Sequence, residues 1–139
     1  MPDRIRLSRA PGWRLPEGSK TVARPGKWGN PFAVRRVPGS RVVARDGRAA
    51  HRWVVSTGGE TIATTRDPVE AALIAVQCHR DWIVRGDVHG SWPAGLAVLR
   101  DRVIDHLPEL SGYNLGCWCS LDHPCHADTL LAMANGGEW

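Results

Sequence analysis

The sequence predicts an α/β or α+β fold in which a small sheet carries packed helices. Residues 33–63 alternate like β-strands, and two later segments repeat apolar residues at helical spacing. A short apolar strand near residue 115 then leads through a tight loop into a last helix. Because 139 residues support one core and are too few for two, we expect a single domain over residues 1–139.

The first thirty residues are expected to run strand, loop, strand, loop. Residues 4–7 alternate polar and apolar side chains, and residues 21–23 are a second short β candidate after a turn-rich stretch. Residues 41–45 and 51–56 then flank an Asp46-Gly47 turn, and residues 61–63 follow two glycines. We therefore predict a β-hairpin or three-stranded meander in residues 33–63, as an insertion on the core sheet.

The first long helix has three agreeing start signals: Asp67 as cap, Pro68 at the first helical position and Glu70 three residues after the cap. The helix is expected to end at Gly86. The side chains predicted to share its buried face are Val69, Ala72, Leu73, Val76 and Ile83.

A second helix is predicted from near Pro93 until Pro108 stops it, with apolar residues at helical spacing: Leu96, Leu99, Val103 and Leu107. Residues 113–119 indicate a buried strand, followed by a turn over residues 120–124 and a short helix ending near Asn135. Strand, tight loop and helix in this order bring chemistry to the carboxyl edge of a sheet.

The composition is that of a globular protein and excludes two classes. A hydrophobic fraction of 42% and a charged fraction of 23% argue against a disordered chain. No apolar run reaches membrane-spanning length, and the first residues lack a signal-peptide pattern, so we expect a cytoplasmic protein with reduced thiols and no membrane partner. The net charge of +4 permits phosphate-bearing partners without requiring them.

Three cysteines near the C-terminus form a candidate metal site. If residues 113–119 are a strand, Cys117 and Cys119 share one face and Trp118 lies on the other. Together with Cys125 and either His126 or His123 they offer the four soft ligands that zinc prefers, although the spacing differs from paired zinc knuckles. The alternative is that the first two thiols pack as small buried hydrophobes.

Which histidine is the fourth ligand depends on the local backbone conformation. Adjacent Cys125 and His126 on a helix would point about 100° apart, which makes joint ligation awkward without irregular backbone. His123 is therefore the predicted fourth ligand.

The start of the last helix is also a candidate catalytic site. A helix N-terminus favours a thiolate at Cys125, and His126 and Asp128 bring further titratable groups to the same strand end. The alternative is ordinary helix capping by Asp122.

Residues 24–32, here called the basic loop, form a candidate substrate site. Arg24 and Lys27 can pair with phosphate, Trp28 can stack on a base or seal a pocket, and Asn30 adds an amide. Glycines in the loop allow close approach of backbone N–H groups to a ligand. The alternative is a rigid turn whose Trp28 and Phe32 plug the core.

Long motifs at both ends of the chain carry a family resemblance. They are Gly12-Trp13-Arg14 with Pro16, Arg24-Pro25 with residues 27–32, and Cys117-Trp118-Cys119 with Asp122 and residues 124–128. In these motifs the chain resembles the bacterial and phage domain-of-unknown-function 4326 family. The resemblance implies where the site lies and implies no particular reaction.

Three functions are open from the sequence, and we favour the first, because the cysteine spacing is irregular for a zinc fold and the net charge is modest for a nucleic-acid binder. The first is a nucleotide- or nucleoside-processing enzyme, a hydrolase or transferase at a glycosidic or phosphate bond, in which the basic loop holds phosphate and the last helix supplies acid or base. The second is a zinc-stabilised nucleic-acid-binding module. The third is a protein-interaction module that presents Trp13 and Trp92 to a partner. The expected partner of the first two is a nucleotide, a nucleoside or nucleic acid.

Overall fold

The computed structural model describes residues 2–86, 93 and 95–137. Within these ranges the fold is mixed α/β, which confirms the predicted class. The strands are β1 (Arg4–Arg6), β2 (Ser19–Thr21), β3 (Ala33–Val43), β4 (Ala49–Thr57), β5 (Glu60–Thr65) and β6 (Asn114–Cys117). The helices are α1 (Pro68–Arg85), α2 (Gly95–His106) and α3 (His126–Ala134), with a 3-10 helix at Leu107–Leu110.

The chain divides into two compact units. The first unit comprises Met1–Gly29 and Ala94–Trp139, and the second comprises Asn30–Pro93. The expectation of a single domain stays a prediction. Among the described residues, we find no helix with the length and apolar character that crossing a membrane requires.

The first unit is built on a parallel sheet with the strand order β1, β6, β2. Gly116 of the central strand pairs with Ile5 on one side and Thr21 on the other. Because all three strands are parallel, their carboxyl ends meet at one edge of the sheet. Fully buried side chains around this sheet include Val22, Leu110, Leu115 and Leu130.

The second unit is an antiparallel meander with the order β3, β4, β5, and α1 packs on it. This arrangement confirms the meander expected in residues 33–63. The first hairpin turns at Gly47, whose φ of 82° lies in the left-handed region that favours glycine. The Asp46 side chain accepts a hydrogen bond from the Arg48 backbone N–H at 3.0 Å and supports the same turn.

Both ends of α1 agree with the sequence signals. The Asp67 side chain accepts a hydrogen bond from the Val69 backbone N–H, Pro68 occupies the first turn, and Gly86 is a left-handed C-cap. The N-terminus of the helix could therefore be predicted from residues 67–70.

The predicted buried face of α1 was wrong except at Ile83. The buried residues are Ala71, Ala75, His79, Trp82 and Ile83. Val69 and Leu73 are instead 42% and 44% exposed. The buried residues recur every three to four positions, so they form one stripe of the helix that differs from the predicted one.

The other boundaries shift by a few residues. The strand β6 is shorter than the predicted 113–119, and β2 begins and ends two residues before the predicted 21–23. The helix α2 buries Leu96 and Val103 as expected, and Pro108 lies in the 3-10 helix that follows it. Cys125 is the N-cap of α3, with an extended backbone.

Candidate metal centre

Three buried side chains converge where β6 ends and α3 begins. Cys117 is the last residue of β6, Cys125 is the N-cap of α3 and His126 is its first residue. The two Sγ atoms and a His126 ring nitrogen all lie within 4.8 Å of one another. The strand end and the helix start therefore bring two thiols and an imidazole to one point.

Cys119 extends this group to four. Its Sγ lies 3.8 Å from that of Cys117, and its thiol also interacts with Cys125. Cys119 is only partly buried, so it forms the side of the group nearest to solvent. We call Cys117, Cys119, Cys125 and His126 the thiol–imidazole cluster.

The spacing of the cluster suits tetrahedral zinc. With zinc–sulfur bonds of about 2.3 Å and zinc–nitrogen bonds of about 2.0 Å, two sulfurs lie about 3.8 Å apart and a sulfur and a nitrogen about 3.6 Å apart. The observed Cys117–Cys119 distance is 3.8 Å, and Cys125 Sγ lies 3.7 Å from His126 Nδ1. The donors are thus of the right kind, and these two pairs have the separation that zinc requires, while the atoms of Cys117, Cys125 and His126 all lie within 4.8 Å of one another.

Hydrogen bonds fix the orientation of the imidazole. The His126 Nε2–H donates to the backbone carbonyls of Val22 at 2.9 Å and Trp28 at 3.1 Å. The Nδ1 atom, which carries the lone pair of a neutral ring protonated at Nε2, therefore faces the Cys125 sulfur. Backbone carbonyls that hold the outer nitrogen in this way are typical of ligating histidines.

The pKa values of the groups in the cluster are shifted in different directions. A hydrogen bond from Cys119 holds the pKa of Cys117 well below its usual range, and the same interaction raises the pKa of Cys119. Burial lowers the pKa of His126, but hydrogen bonds and negative charge from Cys117 and Cys125 outweigh it and raise the pKa to about 9. The neighbours thus favour a thiolate beside an imidazolium. Metal binding releases such protons because ligating thiols and imidazoles are deprotonated.

The structure groups His126, rather than the predicted His123, with the thiols. Cys125 has φ −149° and ψ 142°, so it lies outside the helix and the 100° offset between successive helical residues does not apply to it. Among the described residues, the metal-ligand atoms that all lie within 4.8 Å of one another belong to Cys117, Cys125 and His126, and this group contains neither His123 nor Cys119. The His123 side chain is exposed, and its backbone carbonyl serves another contact.

That contact comes from Arg4 on β1. Its Nη2 donates to the carbonyls of Leu121 at 2.7 Å and His123 at 2.9 Å. Its Nε also lies 3.4 Å from the Asp128 carboxylate. The Arg4 side chain is 10% exposed, so one nearly buried guanidinium holds the turn between β6 and α3 against the first strand.

The residues proposed as catalytic differ in how far they are exposed to solvent. Cys125 is 1% exposed and His126 is 4% exposed, whereas the Asp128 side chain is 58% exposed and pairs with Arg4. Asp122 does not cap α3, because the N-cap is Cys125 and the Asp122 carboxylate accepts a hydrogen bond from Ser120. The thiol and the imidazole therefore lie where a substrate has little access.

In the first part of the basic loop, Lys27 and the glycine N–H groups contact other groups of the protein. Lys27 Nζ lies 3.2 Å from Glu109 and 4.6 Å from the centre of the Trp28 ring, and Arg24 is exposed. Trp28 itself is 8% exposed, so its ring packs rather than offering a free stacking face. The backbone N–H of Gly26 donates to the Ala23 carbonyl, just before the loop, and that of Gly29 donates to the Gly26 carbonyl, at 3.0 Å each.

Gly29 is required by a close approach within this loop. A Cβ atom at this position would lie 2.6 Å from Arg24 Cγ and 3.0 Å from Arg24 Cα. The glycine is thus explained by packing of the loop on itself rather than by a bound phosphate.

The end of the basic loop belongs to the second unit. Asn30 accepts a hydrogen bond from the Phe32 backbone N–H at 2.9 Å, and its amide donates to the Ala75 carbonyl at 3.3 Å. Phe32 is 2% exposed and meets the Trp82 ring edge-on at 6.2 Å. Asn30 therefore connects residues 30–32 to α1 within the second unit.

Sequence reasoning missed a groove at the carboxyl edge of the parallel sheet. It has a volume of about 370 Å³ and is lined by Arg6, Leu7, Ser8, Arg9 and Trp118. We call it the arginine–tryptophan groove. The signal that could have found it is the strand alternation, which sends Trp118 to the face opposite the thiols.

The partner surface proposed at two tryptophans stays a prediction. Trp13 is 37% exposed, and Trp92 lies outside the described residues.

Comparison with known proteins gives the family. The model of the family described as domain of unknown function DUF4326 matches residues 5–136. No curated protein and no solved structure shows a significant match to the chain. The match covers both the thiol–imidazole cluster and the basic loop, and nearly all of the sequence between the two termini. The chain therefore belongs to the DUF4326 family.

Proposed function

We propose that this protein is a zinc-stabilised nucleic-acid-binding module. The observation that supports it most is the grouping of the Cys117 and Cys125 thiols with the oriented His126 imidazole, next to which the Cys119 sulfur lies 3.8 Å from that of Cys117. Cys117, Cys119, Cys125 and His126 would hold one zinc ion with all four positions occupied by protein, which is the usual form of a structural site.

The burial of the cluster favours structure over catalysis. A catalytic zinc keeps one position open to water or substrate, whereas this set supplies four protein ligands. Cys125 and His126 are also almost fully buried. Enzymatic processing of nucleotides stays a prediction that these distances do not strengthen.

The same contacts explain what zinc would stabilise. His126 is bonded to the backbone at Val22 and Trp28, so a metal bound to its Nδ1 ties the basic loop to the end of β6 and the start of α3. A parallel sheet with strands of three to four residues has little hydrogen bonding of its own. A metal at its edge adds the cohesion that a small core lacks.

Nucleic acid is the proposed partner because of charge and residue type. The chain carries a net charge of +4, and only Lys20 and Lys27 of its 18 basic residues are lysines. Arginine pairs with phosphate in a bidentate manner and stacks on bases, which an ammonium group does less well.

The test combines metal content with binding. Elemental analysis of untagged protein should find about one zinc per chain, and three of the four thiols should react only after unfolding or chelation. Removal of zinc should lower the thermal midpoint and abolish binding of a labelled oligonucleotide. A chelated preparation that contains no metal, yet keeps its midpoint and its binding, would contradict the proposal.

A further inference from the structure

We propose that the arginine–tryptophan groove binds a nucleotide unit of single-stranded nucleic acid, with the base against Trp118 and the phosphate between Arg6 and Arg9. The inference rests on the proposed function and names the surface that carries it. No residue of the groove belongs to the thiol–imidazole cluster.

The groove lies where parallel sheets usually bind ligands. Arg6 is the last residue of β1, and Trp118 directly follows the last residue of β6. The two strands pair in parallel, with Arg6 opposite Cys117, so their carboxyl ends open at the same edge. Ligands of open parallel sheets sit outside this edge.

The ring of Trp118 is exposed in a way that allows a base to stack on it. It is 43% exposed, and the Arg9 guanidinium lies 4.6 Å from its centre. The cation supports the ring from one side and leaves part of the indole open to solvent. Stacking of bases on exposed aromatic rings, with arginine beside them, is how single strands are bound without sequence preference.

The charge of the groove suits phosphate. Arg6 and Arg9 are both exposed, and Ser8 adds a hydroxyl. The acidic group that Arg6 influences is Asp122, whose pKa is lowered mainly by the Ser120 hydrogen bond and to a smaller degree by Arg6. Asp122 accepts a hydrogen bond from Ser120, and both arginines are exposed to solvent, where a phosphate can reach them.

A single strand fits better than a duplex or a free nucleotide. The bases of a duplex are already stacked and cannot turn a face toward Trp118, whereas an unpaired base can. The groove volume of about 370 Å³ is at the small end for ligand sites, and the groove offers few donors for a base edge. Affinity therefore requires a chain of phosphates that continues past the groove.

The test uses two matched pairs of variants and a fluorescein-labelled oligothymidylate of fifteen nucleotides, measured by anisotropy at low salt. Trp118→Ala and Arg9→Ala remove the groove pair. Tyr113→Ala and Lys20→Ala remove a similar pair, in which Lys20 Nζ lies 4.5 Å from the Tyr113 ring, at the opposite edge of the same sheet. Each pair of variants changes the charge and the aromatic content equally.

We expect Trp118→Ala to weaken binding about tenfold or more, and Arg9→Ala by about fivefold, while the two controls change it by less than about twofold. Trp118→Phe should recover most of the affinity because it keeps an aromatic face. Zinc content and thermal midpoint, measured on every variant, should equal those of the wild type, since Trp118 and Arg9 are exposed.

The remaining outcomes separate the two proposals. If the wild type binds the oligonucleotide and the groove variants bind equally well, the groove inference is wrong and the nucleic-acid-binding function stands. If the zinc-loaded wild type binds no strand, the proposed function itself fails. Thymidine monophosphate that competes as well as the oligonucleotide, or a duplex that binds more tightly, would overturn the assignment to a single strand.

Discussion

The two faces of the chain at the end of β6 differ in almost every physical respect. Cys117 and Cys119 point to the side where Cys125 and His126 complete a cluster that is mostly buried. Trp118, between the two cysteines, points to the opposite side and is 43% exposed beside Arg9. Three consecutive residues, the last of β6 and the two that follow it in a bend, thus contribute to two separate surfaces.

The two faces differ in whether their polar groups are bonded within the protein or exposed to solvent. On the thiol side, every polar group contacts another member of the cluster or a backbone carbonyl. On the tryptophan side, the cations and the ring are exposed to solvent. Substitutions on the first side should therefore change stability and metal content, and substitutions on the second should change binding alone.

The largest effect is expected from Cys125→Ser, which removes the most buried thiol of the cluster. Loss of one zinc ligand should reduce the bound metal from about one per chain to a small fraction and lower the free energy of unfolding by about 3 kcal/mol or more. Elemental analysis and thermal unfolding measure the two quantities. Cys78→Ser is the matched control, because Cys78 lies on α1 outside the cluster, and it should keep the metal.

The second prediction decides between the two histidines. His126→Ala should lose most of the bound zinc, because Nδ1 faces the thiols and Nε2 holds the basic loop. The free energy of unfolding should fall by about 3 kcal/mol, given the lost ligand and the two carbonyls left without their donor. His123→Ala should retain zinc and stability. The reverse result would make His123 the ligand, as the sequence alone predicted.

The third prediction concerns Arg4, which holds the turn that separates the two faces. Arg4→Met keeps the length of the side chain but removes the hydrogen bonds to the carbonyls of Leu121 and His123. We expect a loss of about 2 kcal/mol in the free energy of unfolding, with metal still bound. Arg14→Met changes the same charge at an exposed position and should have no measurable effect. Equal midpoints for both variants would show that the turn does not depend on Arg4.

The smallest effect is expected from Lys27→Met in the basic loop. Its ion pair with Glu109 is exposed, and such pairs contribute little to stability. The thermal midpoint should not change measurably. Oligonucleotide affinity should fall by less than about threefold, the loss expected from removing one peripheral charge. A tenfold loss would instead make the basic loop, rather than the groove, the main phosphate-binding surface.

Much of the fold could be predicted from local sequence signals. The cap of α1 at Asp67, the Gly86 stop and the turn at Gly47 each depend on residues close together in sequence. The alternation of Cys117 and Cys119 against Trp118 is also local. Physical rules that act over a few residues are sufficient for such features.

The rest depended on contacts that a single sequence does not reveal. The choice of His126 over His123 turns on the backbone angles of one residue, Cys125, at a helix boundary. The groove joins Arg6 and Arg9 to Trp118 across more than a hundred residues. Its existence follows from the strand order, which hydrophobic patterns do not determine.

The position of β6 between β1 and β2 has a consequence for synthesis on the ribosome. The first two strands emerge early, but their shared partner begins only at Asn114. At about 5–20 residues per second, the interval from residue 21 to residue 114 lasts about 5–20 s. The meander and α1, which are contiguous in sequence, can fold during that delay. The two early strands must wait, and the proposed metal ligands emerge only with and after β6, so binding of the proposed zinc ion would complete the folding of the parallel sheet rather than begin it.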